Sequence, residues 1–100
     1  MAKPKRARTE RRNAERAAVK QAKVGLQLSA LAAGGAADRP IAVVSASVIE
    51  PHAASIPCAA CGGGVRVEEH RAENSLRVVR VRCTQCGVVR DLYFRIAQLN

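Results

Sequence analysis

Three stretches in the second half of the chain place apolar and polar residues with a period of two: Val65 to Glu68, Leu76 to Arg82, and Val88 to Ile96, the longest. Such alternation predicts strands with one face buried. His70 to Ser75 is polar and predicts the hairpin turn between the first two. The N-terminal third reads differently. From Thr9, a candidate cap, Glu10 to Lys23 are mostly good helix formers, with Arg11 and Glu15 one turn apart. The apolar face is thin, because Val24, Leu28 and Leu31 form a weak stripe only at its C-terminal end. The first half therefore reads as a solvated helix or one that orders on binding. Met1 to Arg8, with Pro4, carries no signal for order, and Gly34-Gly35 predicts the helix stop. Ile41 to Glu50 is rich in valine and isoleucine without strict alternation and predicts an extra strand; Pro51 and Pro57 bracket an irregular segment after it. The expected organisation is a partly helical basic arm at 1–35, a linker with room for that strand at 36–55, and a folded domain at 56–100.

The strands lie within the 41 residues from Ile56 to Ile96, a length at which a hydrophobic core alone is marginal. Tryptophan is absent, and Tyr93 and Phe94 are the only aromatic residues, so large core-filling side chains are scarce. A second source of stability is expected.

All four cysteines supply it, as two Cys-x-x-Cys pairs, Cys58-Ala59-Ala60-Cys61 and Cys83-Thr84-Gln85-Cys86, with 21 residues between Cys61 and Cys83. That spacing is expected when two pairs close on one tetrahedral Zn²⁺. Gly62 and Gly87 follow the pairs, where a chain bending around a metal needs positive φ and can aim backbone N–H groups at the sulfurs. A structural four-thiolate zinc contributes about 10–16 kcal/mol at neutral pH, most of it folding free energy in so small a domain.

The two pairs with their glycines, joined by a hairpin and completed by a C-terminal strand, resemble the zinc ribbon. The resemblance covers Ile56 to Ile96, under half of the chain, and the whole has the look of a small bacterial zinc-ribbon protein. It implies a small metal-stabilised β fold: a zinc ribbon with a three-stranded antiparallel sheet, preceded by a basic N-terminal helix or disordered arm. Cys58, Cys61, Cys83 and Cys86 are then the ligands of one Zn²⁺. Zinc ribbons serve transcription factors, polymerase subunits, ribosomal proteins and primases, so the fold implies a metal site without choosing a function. Elongation-factor ribbons carry an Asp-Glu pair at the hairpin tip; here the tip has Glu73 with no adjacent aspartate.

Net charge is +9, and most of it belongs to the arm. Lys3, Lys5, Arg6, Arg8, Arg11, Arg12, Arg16, Lys20 and Lys23 face only Glu10 and Glu15 before Val24. Such a run displaces condensed counterions from a nucleic acid, DNA or RNA, free or within a ribonucleoprotein. Arg66, Arg77, Arg80, Arg82, Arg90 and Arg95 extend the potential, with Glu68, Glu69 and Asp91 placed to neutralise part of it across strands. The scarcity of aromatic residues argues against a stacking platform for single strands.

Other chemistries are less well supported. Both cysteine pairs lie between strands, whereas a redox pair opens a helix. Disulfides need an oxidising compartment, and the apolar segment after the basic start is broken by Gln27, Ser29 and two glycines, unlike a signal peptide. A cytoplasmic protein is expected. Four thiolates close the coordination sphere, and His52 and His70 are the only other nitrogen ligands, with His70 expected at the tip; no enzyme and no small-molecule substrate follow. Gly62-Gly63-Gly64 lacks the helix and lysine of a phosphate loop. The basic segment lacks bulky apolar anchors in its first half, so no membrane partner is expected. The alternative function is a protein-binding adaptor or regulatory subunit, with Tyr93, Phe94, Ile96 and Leu99 as an apolar edge; the same residues also suit the core.

Overall fold

A computed structural model describes residues 3–97, with side chains from residue 9 onward. Its elements run α1 (Lys3–Leu31), β1 (Ile41–Val43), a 3-10 turn (Ala46–Val48), α2 (Ile49–Ser55), β2 (Val65–Glu73), β3 (Leu76–Cys83) and β4 (Val89–Ile96). The strands form one mixed sheet in the order β1-β4-β3-β2. The antiparallel ribbon of β2, β3 and β4 is as the alternation predicts, but the sheet has a fourth strand. β1 lies parallel to β4, with Ile41 opposite Phe94 and Val43 opposite Ile96. The expectation of a purely antiparallel three-stranded sheet is corrected accordingly. Parallel pairing follows from the connection: β1 reaches β4 only after the whole hairpin, so no tight turn constrains its direction.

Ile41 to Glu50 is not one strand. It stops at Val43 because Ile49 and Ala53 are needed on α2, where both are fully buried. The core they enter consists of Val43, Ile49, Ala53, Val79, Val81, Leu92 and Phe94, flanked by Ile41, Ile56, Val65 and Val67. One sheet face is thus covered by α2 and its approaches.

The hairpin is tighter than its polar run suggests. β2 and β3 pair out to Glu73 opposite Leu76, leaving Asn74 and Ser75 as the turn, with Asn74 at φ 57°. His70 is therefore not at the tip. It lies within β2 opposite Val79, half-buried. The pairing register shifts between Val67 and Glu69, so Glu68 is an extra residue that returns the following alternation to the core.

α1 begins at Lys3, so the segment before Arg8 is largely helical in backbone, contrary to the expected irregular arm. Pro4 suits a first helical turn, where its missing N–H leaves no bond unmade. The helix ends at Leu31, before Gly34-Gly35, and Arg39 donates from Nη2 to the Ala30 carbonyl at 2.8 Å. A guanidinium there satisfies a terminal carbonyl and complements the helix dipole. Residues 9–21 of α1 are exposed throughout, and the molecule is 73 Å long against a cross-section of 22 × 18 Å. No helix among the described residues is long and apolar enough to cross a membrane.

Candidate metal centre

Two loops of matching construction carry the cysteines. In the first, the Cys58 N–H donates to the Gly63 carbonyl at 2.9 Å and the Gly62 N–H donates back to the Cys58 carbonyl at 2.8 Å. In the second, Cys83 donates to Val88 at 2.9 Å and Gly87 donates to Cys83 at 3.1 Å. Gly62 and Gly87 sit at φ 78° and 77°, a conformation other residues adopt only with strain. The predicted role of these two glycines is therefore met in both loops by the same bonds. Thr84 ties the loops together, donating from its N–H and from Oγ1 to the Gly64 carbonyl, each at 3.0 Å.

The loops bring all four sulfurs within 4.8 Å of one another. Sγ of Cys58 is 3.6 Å from that of Cys86, and Sγ of Cys61 is 3.4 Å from that of Cys83. A disulfide bond is about 2 Å long, whereas sulfurs at the corners of a tetrahedron of 2.3 Å metal–sulfur bonds are about 3.8 Å apart. The residues fit a tetrahedral metal ion. Cys58 and Cys83 are buried, and Cys61 and Cys86 are exposed.

Backbone N–H groups point at the sulfurs: Ala60 at Cys58, Gly63 at Cys61, and both Gln85 and Cys86 at Cys83, all at 3.4 Å. Their effect is largest at Cys83, where the Cys86 N–H, helped by that of Gln85, overcomes burial and holds the thiol at about 6. Cys61 goes the other way, to about 12. The Gly63 N–H favours its thiolate, but hydrogen bonding to Cys83, burial and the neighbouring Cys86 and Cys58 outweigh it. Cys86 is also raised: the Val88 N–H and Cys61 favour its thiolate, but desolvation together with Cys58 and Cys83 outweighs them. One thiolate, that of Cys83, is thus ready while Cys61 and Cys86 resist ionising beside it, which is the electrostatic situation a divalent cation relieves.

Arg90 is the site residue that sequence reasoning missed. It appeared there only as one more ribbon cation, yet it is half-buried close enough to Cys58 to feel its charge. Burial pushes its guanidinium down while Cys58 pulls it up. On β4 it stands opposite Val81 of β3. No motif announces its partial burial, which depends on the pairing of β4 with β3. His52 is not part of the cluster; its ring meets Phe94 edge-on at 5.7 Å.

Comparison with family models, with curated proteins and with solved structures finds no match.

The predicted nucleic-acid contacts lie elsewhere. Arg11, Arg12, Arg16, Lys20 and Lys23 are exposed on α1; the side chains of Lys3, Lys5, Arg6 and Arg8 lie outside the described residues. The ribbon arginines behave differently. Arg82 bonds Glu68, Arg80 reaches Asp91 at 3.2 Å and Glu69 at 3.8 Å, and Arg71 reaches Glu73 at 3.2 Å, Glu69 and Asp91. Arg66 adds a longer contact to Glu68 at 3.9 Å. The sheet face opposite α2 is therefore a lattice of opposite charges, as cross-strand neutralisation predicts. Of the proposed apolar edge, Phe94 is fully buried in the core, Tyr93 is half-buried and Ile96 is exposed; Leu99 lies outside the described residues.

Proposed function

We propose that this chain is a non-enzymatic, cytoplasmic zinc-ribbon protein that contacts nucleic acid or ribonucleoprotein through its basic helical arm. Cys58, Cys61, Cys83 and Cys86 hold one Zn²⁺, which cross-links the two loops and supplies folding free energy. The observation that carries the reading is the contrast between two sets of cations. Arg11, Arg12, Arg16, Lys20 and Lys23 stand exposed on a helix projecting from the sheet, while the ribbon's Arg71, Arg80 and Arg82 are engaged by carboxylates. Accessible positive charge is concentrated on the arm, and phosphate contact of this kind gives affinity that falls steeply with salt.

The test compares the full zinc-loaded chain with one starting at Val24, on generic RNA and duplex DNA across a salt series. Loss of affinity and of salt dependence in the shorter chain supports the reading; unchanged affinity and slope overturn it. Metal analysis should give one zinc per chain.

A protein-binding adaptor is the second reading, favoured by one observation. Val24, Leu28 and Leu31 are 46 %, 62 % and 68 % exposed, an outward row with the i, i+4, i+7 spacing of a helix that docks in a groove. Recovery of a stable partner that is lost on changing these three residues, and retained after nuclease treatment, would favour it.

A further inference from the structure

We infer that α1 binds the major groove of duplex DNA, with Arg12, Arg16, Lys20 and Lys23 on the phosphates of one strand and Arg11 on those of the other. The inference rests on the nucleic-acid reading above and specifies its partner. Four observations lead to it.

The arm is a continuous helix of 29 residues, about 43 Å long, rather than a flexible tail. A rigid rod cannot wind along a flexible single strand, and its cation row from Arg12 to Lys23, about 16 Å long, covers about half of one B-form turn, a stretch over which a straight helix stays within the groove. Next, Arg12, Arg16 and Lys20 recur every four residues, each about 6 Å further along the axis, with Lys23 continuing the row. Arg11 lies about 140° around the axis from Arg16, so cations flank the helix on two sides, as the two walls of a groove require.

Third, α1 contains no aromatic residue, which removes the stacking that holds unpaired bases. Finally, residues 9–21 are exposed on all sides, so the helix enters a groove without first leaving the ribbon. A helix with side chains is about 10–12 Å across and the B-form major groove is about 12 Å wide. The major groove of A-form RNA is deep and narrow, and side chains do not read it. The geometry therefore selects duplex DNA over duplex RNA and over either single strand.

The test measures anisotropy of four labelled probes of one sequence with the full zinc-loaded chain: duplex DNA of about 20 base pairs, two helical turns, the matching duplex RNA, and single strands of each. Duplex DNA should bind at least about tenfold tighter than the other three. Changing Arg12→Gln, Arg16→Gln, Lys20→Gln and Lys23→Gln together should flatten the plot of log affinity against log salt by about 3 to 4, close to one per lost phosphate contact. Glutamine is a comparable helix former, and unchanged circular dichroism confirms that α1 persists. Duplex RNA or a single strand binding as tightly as duplex DNA overturns the groove assignment while leaving the nucleic-acid reading in place. Binding to none of the probes overturns both. An unchanged salt slope in the fourfold variant overturns the assignment of these residues.

Discussion

Gly25 of α1 lies directly against the carbonyl oxygen of Ala59, inside the first cysteine loop; a Cβ placed on Gly25 would overlap that oxygen. The helix therefore rests on the metal loop through a residue without a side chain, with Ala22, Leu26 and Ser29 half-buried on the same face. This contact sets where the basic arm points.

Gly25→Ala separates two effects of opposite sign. In an isolated helix the change stabilises by about 1 kcal/mol. Here the obstructing atom is backbone, which no rotamer change can move, and overpacking of this kind costs about 1–3 kcal/mol. The expected net result is a Tm lower by a few degrees, with faster amide exchange in residues 22–29 and unchanged metal content. A raised Tm would show that the helix does not bear on the loop.

Metal uptake should release protons. Cys83, held at about 6, is already mostly thiolate at pH 7, whereas Cys61 and Cys86 are raised and must each give up a proton. Calorimetry of zinc binding in buffers of different ionisation enthalpy should find at least two protons released at pH 7. In the metal-free protein the depressed Cys83 contributes stability that is present above its unfolded value of 9.0 and lost as pH falls through about 6. The same protein should melt lower at pH 5 than at pH 8.

His70 faces Glu50 of α2, Nδ1 lying 3.5 Å from the carboxylate, while its Nε2 is buried with no hydrogen-bond partner. Glu50 is largely exposed, so the pair contributes little, and a buried polar atom left unmatched is a cost. His70→Leu should leave stability in urea unchanged or higher. A loss above about 1 kcal/mol would mean that the pair holds α2 to the sheet.

Phe94 is fully buried, the largest side chain in a core otherwise made of aliphatic residues. Phe94→Ala should cost about 3–5 kcal/mol, enough to unfold the metal-free sheet. Circular dichroism with and without zinc measures it; a metal-free variant that stays folded would show that the core is not limiting.

Ribbon carboxylates keep ribbon cations from phosphates. Hydrogen bonding to Arg82 holds the Glu68 carboxyl below its usual 4.5, so this ion pair contributes above that value and is lost only as pH falls through the lowered one. Changing Glu68→Gln, Glu69→Gln and Asp91→Asn together should free Arg80 and Arg82 and leave Arg71 paired only with Glu73, raising nucleic-acid affinity and steepening its salt dependence at neutral pH. Unchanged binding would place that sheet face away from the partner.

The strands from Val65 onward and the cysteine cluster were legible because their signals are local: period-two alternation, and pairs of thiols each followed by glycine. Val24, Leu28 and Leu31 show where locality misleads. They form the apolar stripe of the sequence, yet they point outward, and the ribbon takes the smaller Ala22, Gly25 and Ser29 because close approach to a backbone loop needs space more than apolar area. His70 was misplaced for a related reason. Its polarity suggests a turn, and only the irregular pairing around Glu68 carries it inward.

By itself, the sequence determined the four cysteines that cluster where a metal ion could be held, the three antiparallel strands and the concentration of charge before Val24, since each follows from residue type at fixed spacing along one chain. Only the tertiary structure decided the parallel fourth strand, the burial of Ile49 and Ala53 of α2, the partial burial of Arg90, and which of the sheet's arginines are paired with carboxylates. Those depend on residues far apart in sequence competing for one core and one set of charge partners, and that competition is resolved only when the sheet closes.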